Sequence, residues 1–404
     1  MLQNTVGIVS EFNPFHYGHQ YLIRKTREQY GENTGIVCVM SGDFVQRGEA
    51  ACFSKYARAE AACRSGADLV LELPLPWCCS SAEAFASGAL GILNGLGGVS
   101  AISFGSECGD AGKIRRAAEV LLSPEMEDAL RQQLQQNKNY ASARQAALAS
   151  LSEELAEIIG TPNNILAVEY AKAIIQSNAE IALFTVSRTG AAHDSFSDDG
   201  YRSARDIREM MLRDPLSGDW FNHVPEQAAA VFRREIQQGR GPVNGEALES
   251  AILSRLRLLT LEDIMNLPET DGGIGELFYR SVQSTGSIEA LVQNVKHKNI
   301  ALSRVRRLVT AGALGIRKDM GEWEPDYIRV LAFNGKGRQI LHDASPSLPI
   351  ITKTAHMQRG NTAGTEQFEL GSCAHDLFVL GFQDSVQRVC GEDWRTGPVI
   401  VKGE

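Results

Sequence analysis

The stretch Gly7-Ile8-Val9-Ser10-Glu11-Phe12-Asn13-Pro14-Phe15-His16-Tyr17-Gly18-His19 constrains the fold more than any other in this sequence. Val6–Ser10 is apolar enough to form a buried strand, and Asn13-Pro14 follows it with turn-forming residues. A helix is expected from Gly18, because Tyr21, Leu22, Lys25 and Thr26 recur at helical spacing. That order sets the imidazoles of His16 and His19 beside the backbone N–H groups of a helix N-terminus, which carries about half a positive charge. Two histidines three residues apart add donors that can meet an anion such as phosphate and the charge developing on it. Gly18 leaves room there for a flat ring.

The residues around this element alternate strand and helix with short turns, the pattern of a parallel sheet covered on both faces. Strands are expected at Val6–Ser10, Gly35–Met40, Asp68–Glu72, Val99–Phe104 and Ile181–Val186, with helices at about 18–30, 54–65 and 81–94. In such a sheet ligands collect at the carboxyl ends of the strands, where the strand order reverses. His16 and His19 follow the first strand, Ser41–Gly48 the second, Pro74 the third, Gly105-Ser106-Glu107 the fourth and Ser187-Arg188 the fifth. Residues 110–160 read as a helical insertion on the sheet's edge. Pro162-Asn163-Asn164 then opens a helix, with Pro at its first turn and an Asn able to cap it or to contact a ligand. Ser203-Ala204-Arg205-Asp206-Ile207-Arg208 opens another.

The His-x-Gly-His turn resembles the signature of the HIGH nucleotidyltransferase superfamily, whose Rossmann-like parallel sheet binds a nucleotide's phosphates with these histidines. The longer string Glu11-Phe12-Asn13-Pro14-Phe15-His16-x-Gly18-His19, with Ser41-Gly42-Asp43-Phe44-Val45-Gln46-Arg47-Gly48-Glu49 after the second strand, resembles the bacterial tRNA(Met) cytidine acetate ligase family nearly to the C-terminus. The resemblance implies catalysis by His16 and His19. It also implies that ATP is met by Val9, Ser10, Glu11, Phe12, Asn13, Pro14, Phe15, Gly18, Gly105, one of Asn163 and Asn164, Arg188, and Ser203 with Arg208 of a Ser-x-x-x-Ile-Arg motif. Arg208 suits a pyrophosphate leaving group because a planar, permanently charged guanidinium can follow its growing charge. Two positions depart from the family: Arg205 stands where a small hydroxyl residue is expected, and Ala50 where proline is. Magnesium is expected as the partner of ATP, with no carboxylate pair to identify its ligands.

Beyond about residue 215 the pattern becomes mainly helical to about 318 and then mixed. The expected organisation is therefore α/β, with an ATP-binding domain over 1–214 and a mainly helical α+β domain over 215–404. Tyr327–Gly337 reads as a strand entering a helix, a structural part of the second domain more than a second phosphate loop; a helix over Glu366–Phe382 and a strand at Pro398–Val401 complete that domain. Between Val295 and Lys318 lie seven Lys or Arg residues and no Asp or Glu. Arg304, Arg306 and Arg307 alternate there with Leu302, Val305, Leu308 and Val309, so a helix can bury one stripe and present guanidinium groups on another. A solvated face is one reading; contact with the phosphates of a tRNA, the family's substrate, is the other.

Composition narrows the choice. A net charge of −9 argues against a protein that coats nucleic acid indiscriminately and permits one that grips it locally. No apolar run is long enough to span a membrane, residues 1–30 begin with strand and helix instead of a signal peptide, and the eight cysteines suggest neither a zinc site nor a disulfide framework, so a cytoplasmic protein is expected, with no protein partner implied. The function that the resemblance implies is activation of acetate as acetyl-adenylate, followed by transfer to the wobble cytidine of elongator tRNA(Met). An adenylyltransferase acting on a small cofactor precursor, and an RNA-binding protein that holds ATP without chemistry, are the alternatives.

Overall fold

The computed structural model describes residues 4–136, 140–187, 202–297, 300–354, 357 and 364–402. The chain opens with β1 (Thr5–Ser10), α1 (Tyr17–Tyr30), β2 (Gly35–Ser41), a hairpin of β3 (Phe44–Val45) and β4 (Glu49–Ala50), α2 (Lys55–Arg64), β5 (Leu69–Leu73), α3 (Ala82–Leu96) and β6 (Ala101–Ser106). Helices α4 (Ala111–Leu121), α5 (Pro124–Leu134), α6 (Tyr140–Leu151) and α7 (Glu153–Ile158) follow. Then come α8 (Pro162–Gln176), β7 (Ala182–Ser187) and α9 (Ala204–Arg213). A helical stretch follows: α10 (Glu226–Gln237), α11 (Gly245–Arg257), α12 (Leu261–Met265), α13 (Ile274–Ser284), α14 (Ile288–Val295) and α15 (Leu302–Leu314). The chain ends with β8 (Ile328–Phe333), α16 (Gly335–Asp343), β9 (Ile350–Ile351), α17 (Thr365–Phe378) and β10 (Val399–Ile400).

β1 pairs in parallel with β2 on one side and β6 on the other, while β5 extends the sheet beyond β2 and β7 beyond β6, again in parallel. The direction of progression therefore reverses between β1 and β6, and the crevice there opens at the strand ends that carry His16 and Glu107. Alternation along the strands separates two apolar layers. Val37, Val39, Leu69, Leu71, Ile102 and Phe104 pack into one, with residues of α3, α4 and α8. Val6, Ile8, Ile36, Cys38, Met40 and Val70 pack into the other, with α1, α2, α9 and α10. Burying each such side chain is worth about 1.5–3 kcal/mol, so the central strands hold the site on rigid supports.

The stretch assigned to a second domain returns to this sheet. β8 pairs antiparallel with β5, and β10 and β9 pair in parallel with β8. Leu248, Leu256, Phe278 and Leu308, from α11, α13 and α15, share one apolar layer with β2 and β5. The change of composition near residue 215 thus marks a change of element type, while hydrogen bonding and core packing run across it. The Tyr327–Gly337 stretch supplies β8 and the start of α16. There Asn334 Oδ1 accepts from Gly337 N at 3.0 Å, and a side chain at Gly337 would collide with the Asp68 carbonyl, so the helix start is packed shut as a structural element.

A buried charge network joins the two halves. Lys55 Nζ donates to Glu72 at 2.9 Å and to Asp393 at 2.6 Å, and Arg329 Nη1 reaches the same two carboxylates at 3.2 and 2.8 Å. Tyr56 OH donates to Asp393 Oδ1 at 2.8 Å. His375, fully buried in α17, bridges Asp43 Oδ2 at 2.8 Å and Glu392 Oε2 at 3.0 Å through its two ring nitrogens. Asp43 in turn accepts from the Lys55 backbone N–H at 2.7 Å, which fixes the loop leaving β2.

Candidate active site

His16 is the N-cap of α1. Its Nδ1 accepts from Gly18 N at 3.0 Å, while its own backbone N–H donates to His19 Nδ1 at 3.2 Å. This reciprocal pair has a defined chemical result: each Nδ1 is an acceptor, so each imidazole is held as the tautomer whose proton, and donor, is Nε2–H. The rings lie 3.9 Å apart between centroids. His19 also meets the buried Phe12 ring edge-on at 4.9 Å, and Phe15 at 5.5 Å. A Cβ at Gly18 would come within 2.8 Å of His16 Cε1, so the flat ring for which this glycine leaves room is the His16 imidazole itself.

The loop before α1 is fixed from several sides. Ser10 Oγ accepts from Phe12 N at 3.3 Å, and Phe12 holds φ of 45°, a left-handed conformation that costs a non-glycine residue on the order of 1 kcal/mol and that the packing of its ring offsets. Buried Asn13 accepts from Cys52 N at 2.8 Å, and Pro14 and Phe15 are buried beside it. Arg58, fully buried in α2, spreads its guanidinium over the carbonyls of Phe53 (2.9 Å), Glu11 (2.6 Å), Ser41 (3.2 Å) and Gly42, and so ties the loops after β1 and β2 together. Burial pushes the Glu11 carboxyl above the usual carboxylate range, against a hydrogen bond from Gln46 N at 3.0 Å and the charges of Arg208, Arg47 and Arg58. Val9, at the end of β1, is half-buried behind this loop.

Arg208 arrives from α9 and donates to the Asn13 carbonyl at 2.7 Å, which brings it to the histidine loop from 195 positions away in sequence. Ser203 caps α9 reciprocally with Asp206: its hydroxyl donates to Oδ2 at 2.9 Å and accepts from Asp206 N at 3.2 Å. A carboxylate therefore already occupies the first turn of the helix expected to hold phosphate. Arg205 points elsewhere and pairs with Glu209 at 3.1 Å on the surface. Arg188 lies outside the described residues.

Across the crevice, Gly105 is half-buried near the end of β6, where Cα register pairs it with Val186. The two asparagines there have different roles. Buried Asn164 accepts from Glu107 N at 2.9 Å and Cys108 N at 3.1 Å, and so holds the loop leaving β6. Half-buried Asn163 donates its side-chain amide to Glu107 Oε1 at 2.6 Å. Farther along α8, buried Tyr170 packs its ring against Phe104 at 5.8 Å between centroids, which holds the helix against β6.

The hairpin connects this cleft to α15. Gly48 has φ of +72°, and a Cβ there would fall 2.5–2.7 Å from backbone atoms of Arg306 and Arg307. Thr310 Oγ1 donates to the Gly48 carbonyl at 2.8 Å, and Arg306 pairs with Glu49. Arg307 makes two hydrogen bonds to the Glu269 carboxylate at 2.9 and 2.8 Å, and Arg304 donates to the Glu269 carbonyl at 2.8 Å. All three arginines of the basic stripe thus have partners within the chain. Arg304 and Arg306 keep about a third of their side chains exposed, at 32% and 35%, whereas Arg307 keeps 13%. Sequence reasoning passed over Arg58 and His375. Arg58 stands in a helix whose residues from Lys55 to Cys63 are all buried, its charged ones included, which the run of alanines around them permits.

Comparison with known proteins extends the agreement over the whole chain. A family model described as HIGH Nucleotidyl Transferase matches residues 3–393. The tRNA(Met) cytidine acetate ligase of Syntrophomonas wolfei is 34% identical, over 98% of this chain and 99% of its own length. That of Caldanaerobacter subterraneus subsp. tengcongensis is 36% identical over 94% and 96%. Among solved structures, Thermotoga maritima TmcAL bound with alpha-thio ATP aligns at a TM-score of 0.91 with 30% identity, covering 99% of this chain and all of that one. With its histidine-capped helix at the reversal point of a parallel sheet and its near-full-length likeness to these proteins, the chain belongs to the HIGH nucleotidyl transferase family, within the tRNA(Met) cytidine acetate ligases.

Proposed function

We propose that this protein is an ATP-dependent ligase that activates acetate as acetyl-adenylate and transfers the acetyl group to the wobble cytidine of elongator tRNA(Met), forming N(4)-acetylcytidine. The observation that carries this reading is the reciprocal capping of His16 and His19 through Nδ1, which makes Nε2–H the donor of each ring at the start of α1 in a chain so similar to ligases of that name. In the first step an acetate oxygen attacks the α-phosphorus of ATP, and the bond to the bridging oxygen breaks with release of pyrophosphate. Such a displacement needs alignment and charge neutralisation more than a general base. The neutral imidazoles donate to phosphate oxygens without a change of protonation state, and Arg208 adds a permanent charge for the departing pyrophosphate. In the second step N4 of cytidine, whose lone pair is delocalised into the ring, attacks the acetyl carbonyl, and AMP leaves in place of an unactivated hydroxide.

Among the described residues no group of three or more His, Cys, Asp or Glu side chains could hold a metal ion. Magnesium would arrive on the phosphates of ATP with most of its ligands supplied by nucleotide and water, as that ion prefers. No helix of the described residues is long and apolar enough to cross a membrane. For tRNA we assign Arg304 and Arg306 as the contacts of α15, and read Arg307 as a structural partner of Glu269. Labelled acetate incubated with ATP and bulk bacterial tRNA distinguishes the alternatives. The ligase labels RNA, while a small-molecule adenylyltransferase and an ATP sensor leave it unlabelled.

A further inference from the structure

We propose that the β3–β4 hairpin is a positioning element for acetyl transfer: fastened to the histidine loop at one end and to α15 at the other, it sets where a tRNA gripped by α15 meets acetyl-adenylate formed beside His16 and His19. The inference rests on the ligase reading above and adds the part that joins its two steps. Strands of two residues each, Phe44–Val45 and Glu49–Ala50, cannot hold a fixed position by themselves, so their partners decide it. Toward the histidine loop, Gln46 N donates to Glu11 Oε1 at 3.0 Å, Cys52 N donates to Asn13 Oδ1 at 2.8 Å, and Ala51 N closes the base of the hairpin on the Asp43 carbonyl at 2.8 Å. Gln46 Nε2 adds a bond to the Ser80 carbonyl at 3.0 Å. Toward α15, buried Thr310 donates to the Gly48 carbonyl at 2.8 Å. Gly48, with φ of +72°, lies so close to the helix backbone that a Cβ would fall 2.5 Å from Arg307 N.

The two fastenings serve different steps. Acetyl-adenylate is made from acetate and ATP at the histidine loop, and Thr310 and Gly48 have no part in that step. Transfer is different, because N4 of the cytidine must reach the acetyl carbonyl while the tRNA is held by other groups, Arg304 and Arg306 of α15. The distance between those arginines and the histidine loop then belongs to the reaction geometry, and misplacing the reacting atoms by about 1 Å can cost about a hundredfold in rate. Arg306 pairs with Glu49, but with both side chains 35% exposed the pair contributes little to the seam, and its guanidinium can exchange the carboxylate for an RNA phosphate. The seam is therefore held by the Thr310 bond and the close seat of Gly48. Acetyl-adenylate that no cytidine reaches is lost to water, which attacks the acetyl carbonyl and releases acetate and AMP.

The test compares wild type with Thr310→Val, Thr310→Ser and Gly48→Ala. Acetate-dependent exchange of pyrophosphate into ATP, tRNA affinity by filter binding, and AMP released per N(4)-acetylcytidine at saturating tRNA are measured for each. Thr310→Val, which removes the hydroxyl at nearly constant shape, should slow transfer by about tenfold, the worth of one hydrogen bond, and raise AMP per product while exchange and tRNA affinity stay unchanged. Thr310→Ser keeps the donor and should restore both. In Gly48→Ala the added Cβ must retreat by about 1 Å to reach ordinary contact at 3.4 Å, and transfer should fall by about a hundredfold. Normal AMP per product in Thr310→Val overturns the proposal, whether or not Gly48→Ala folds. So does an equal fall of exchange and transfer, a weakening of tRNA affinity that accounts for the loss, or a failure of Thr310→Ser to restore transfer. Wild type that acetylates no tRNA overturns this inference together with the ligase reading, whereas wild-type acetylation with unaffected variants overturns this inference alone.

Discussion

Replacing His375 by Ala should change both the stability of the protein and its dependence on pH. Both ring nitrogens face carboxylates, Asp43 at 2.8 Å and Glu392 at 3.0 Å, so both must donate and the ring is an imidazolium. Burial works against that charge, but Asp43, Asp393 and Glu392 outweigh it and hold the pKa at about 10, against 6.5 for an ordinary histidine. A group raised in this way contributes its full stabilisation below about pH 6.5 and loses it as pH rises towards 10, because over that range the folded chain binds a proton that the unfolded chain has released. The slope is a loss of about 1.4 kcal/mol per pH unit, and the whole effect is on the order of 5 kcal/mol. Removing the ring leaves Asp43 buried, with Lys55 Nζ 3.9 Å away, and breaking a buried pair typically costs about 3–5 kcal/mol. Urea unfolding followed by tryptophan fluorescence at pH 7, 8 and 9 should show wild type weakening along that slope and the variant starting lower with a flatter profile, so that the two converge. Parallel profiles would refute the assignment of the charge to His375.

Replacing His16 or His19 by Ala should lower acetate-dependent exchange of pyrophosphate into ATP by on the order of a hundredfold, with circular dichroism unchanged. Wild-type exchange in both variants would remove the imidazoles from the mechanism. Arg208→Ala should weaken ATP binding by about 1.5–3 kcal/mol, the worth of a charge-assisted hydrogen bond, as read by equilibrium binding of an ATP analogue. Arg304→Ala and Arg306→Ala should each flatten the log-log salt dependence of tRNA binding by somewhat under one unit while sparing pyrophosphate exchange. Arg307→Ala should leave that slope alone and lower stability, because Glu269 loses its bidentate partner. The reverse pattern would move the RNA surface away from α15.

The first half of the fold was legible because its signals are local. The apolar run at Val6–Ser10, the turn at Asn13-Pro14 and the helical spacing after Gly18 lie within one stretch, and the histidine pair completes its cap without distant help. Other features depend on pairings that no local pattern records. β8 looked like part of a second domain because Ile328–Phe333 follows a helical stretch, yet its hydrogen-bonding edge is β5, more than 250 positions earlier. Arg304, Arg306 and Arg307 read as a solvated or RNA-facing stripe because their counter-charges, Glu269 and Glu49, lie far away along the chain. Asn163 and Asn164 were indistinguishable as letters, and only the loop after β6 separates the buried one that accepts its backbone N–H groups from the half-buried one that donates to Glu107. His375 carried no signal at all: a histidine in an ordinary helix becomes a buried cation only once Asp43 is placed beside it.

The central claim is tested most directly on two transcripts of elongator tRNA(Met), one natural in sequence and one with uridine in place of the wobble cytidine. Each is incubated with the protein, ATP and labelled acetate, then digested to nucleosides and analysed by mass spectrometry. The account predicts N(4)-acetylcytidine from the first transcript only, with AMP and pyrophosphate released and no product when ATP is omitted. Label in neither transcript, or in both alike, would contradict it.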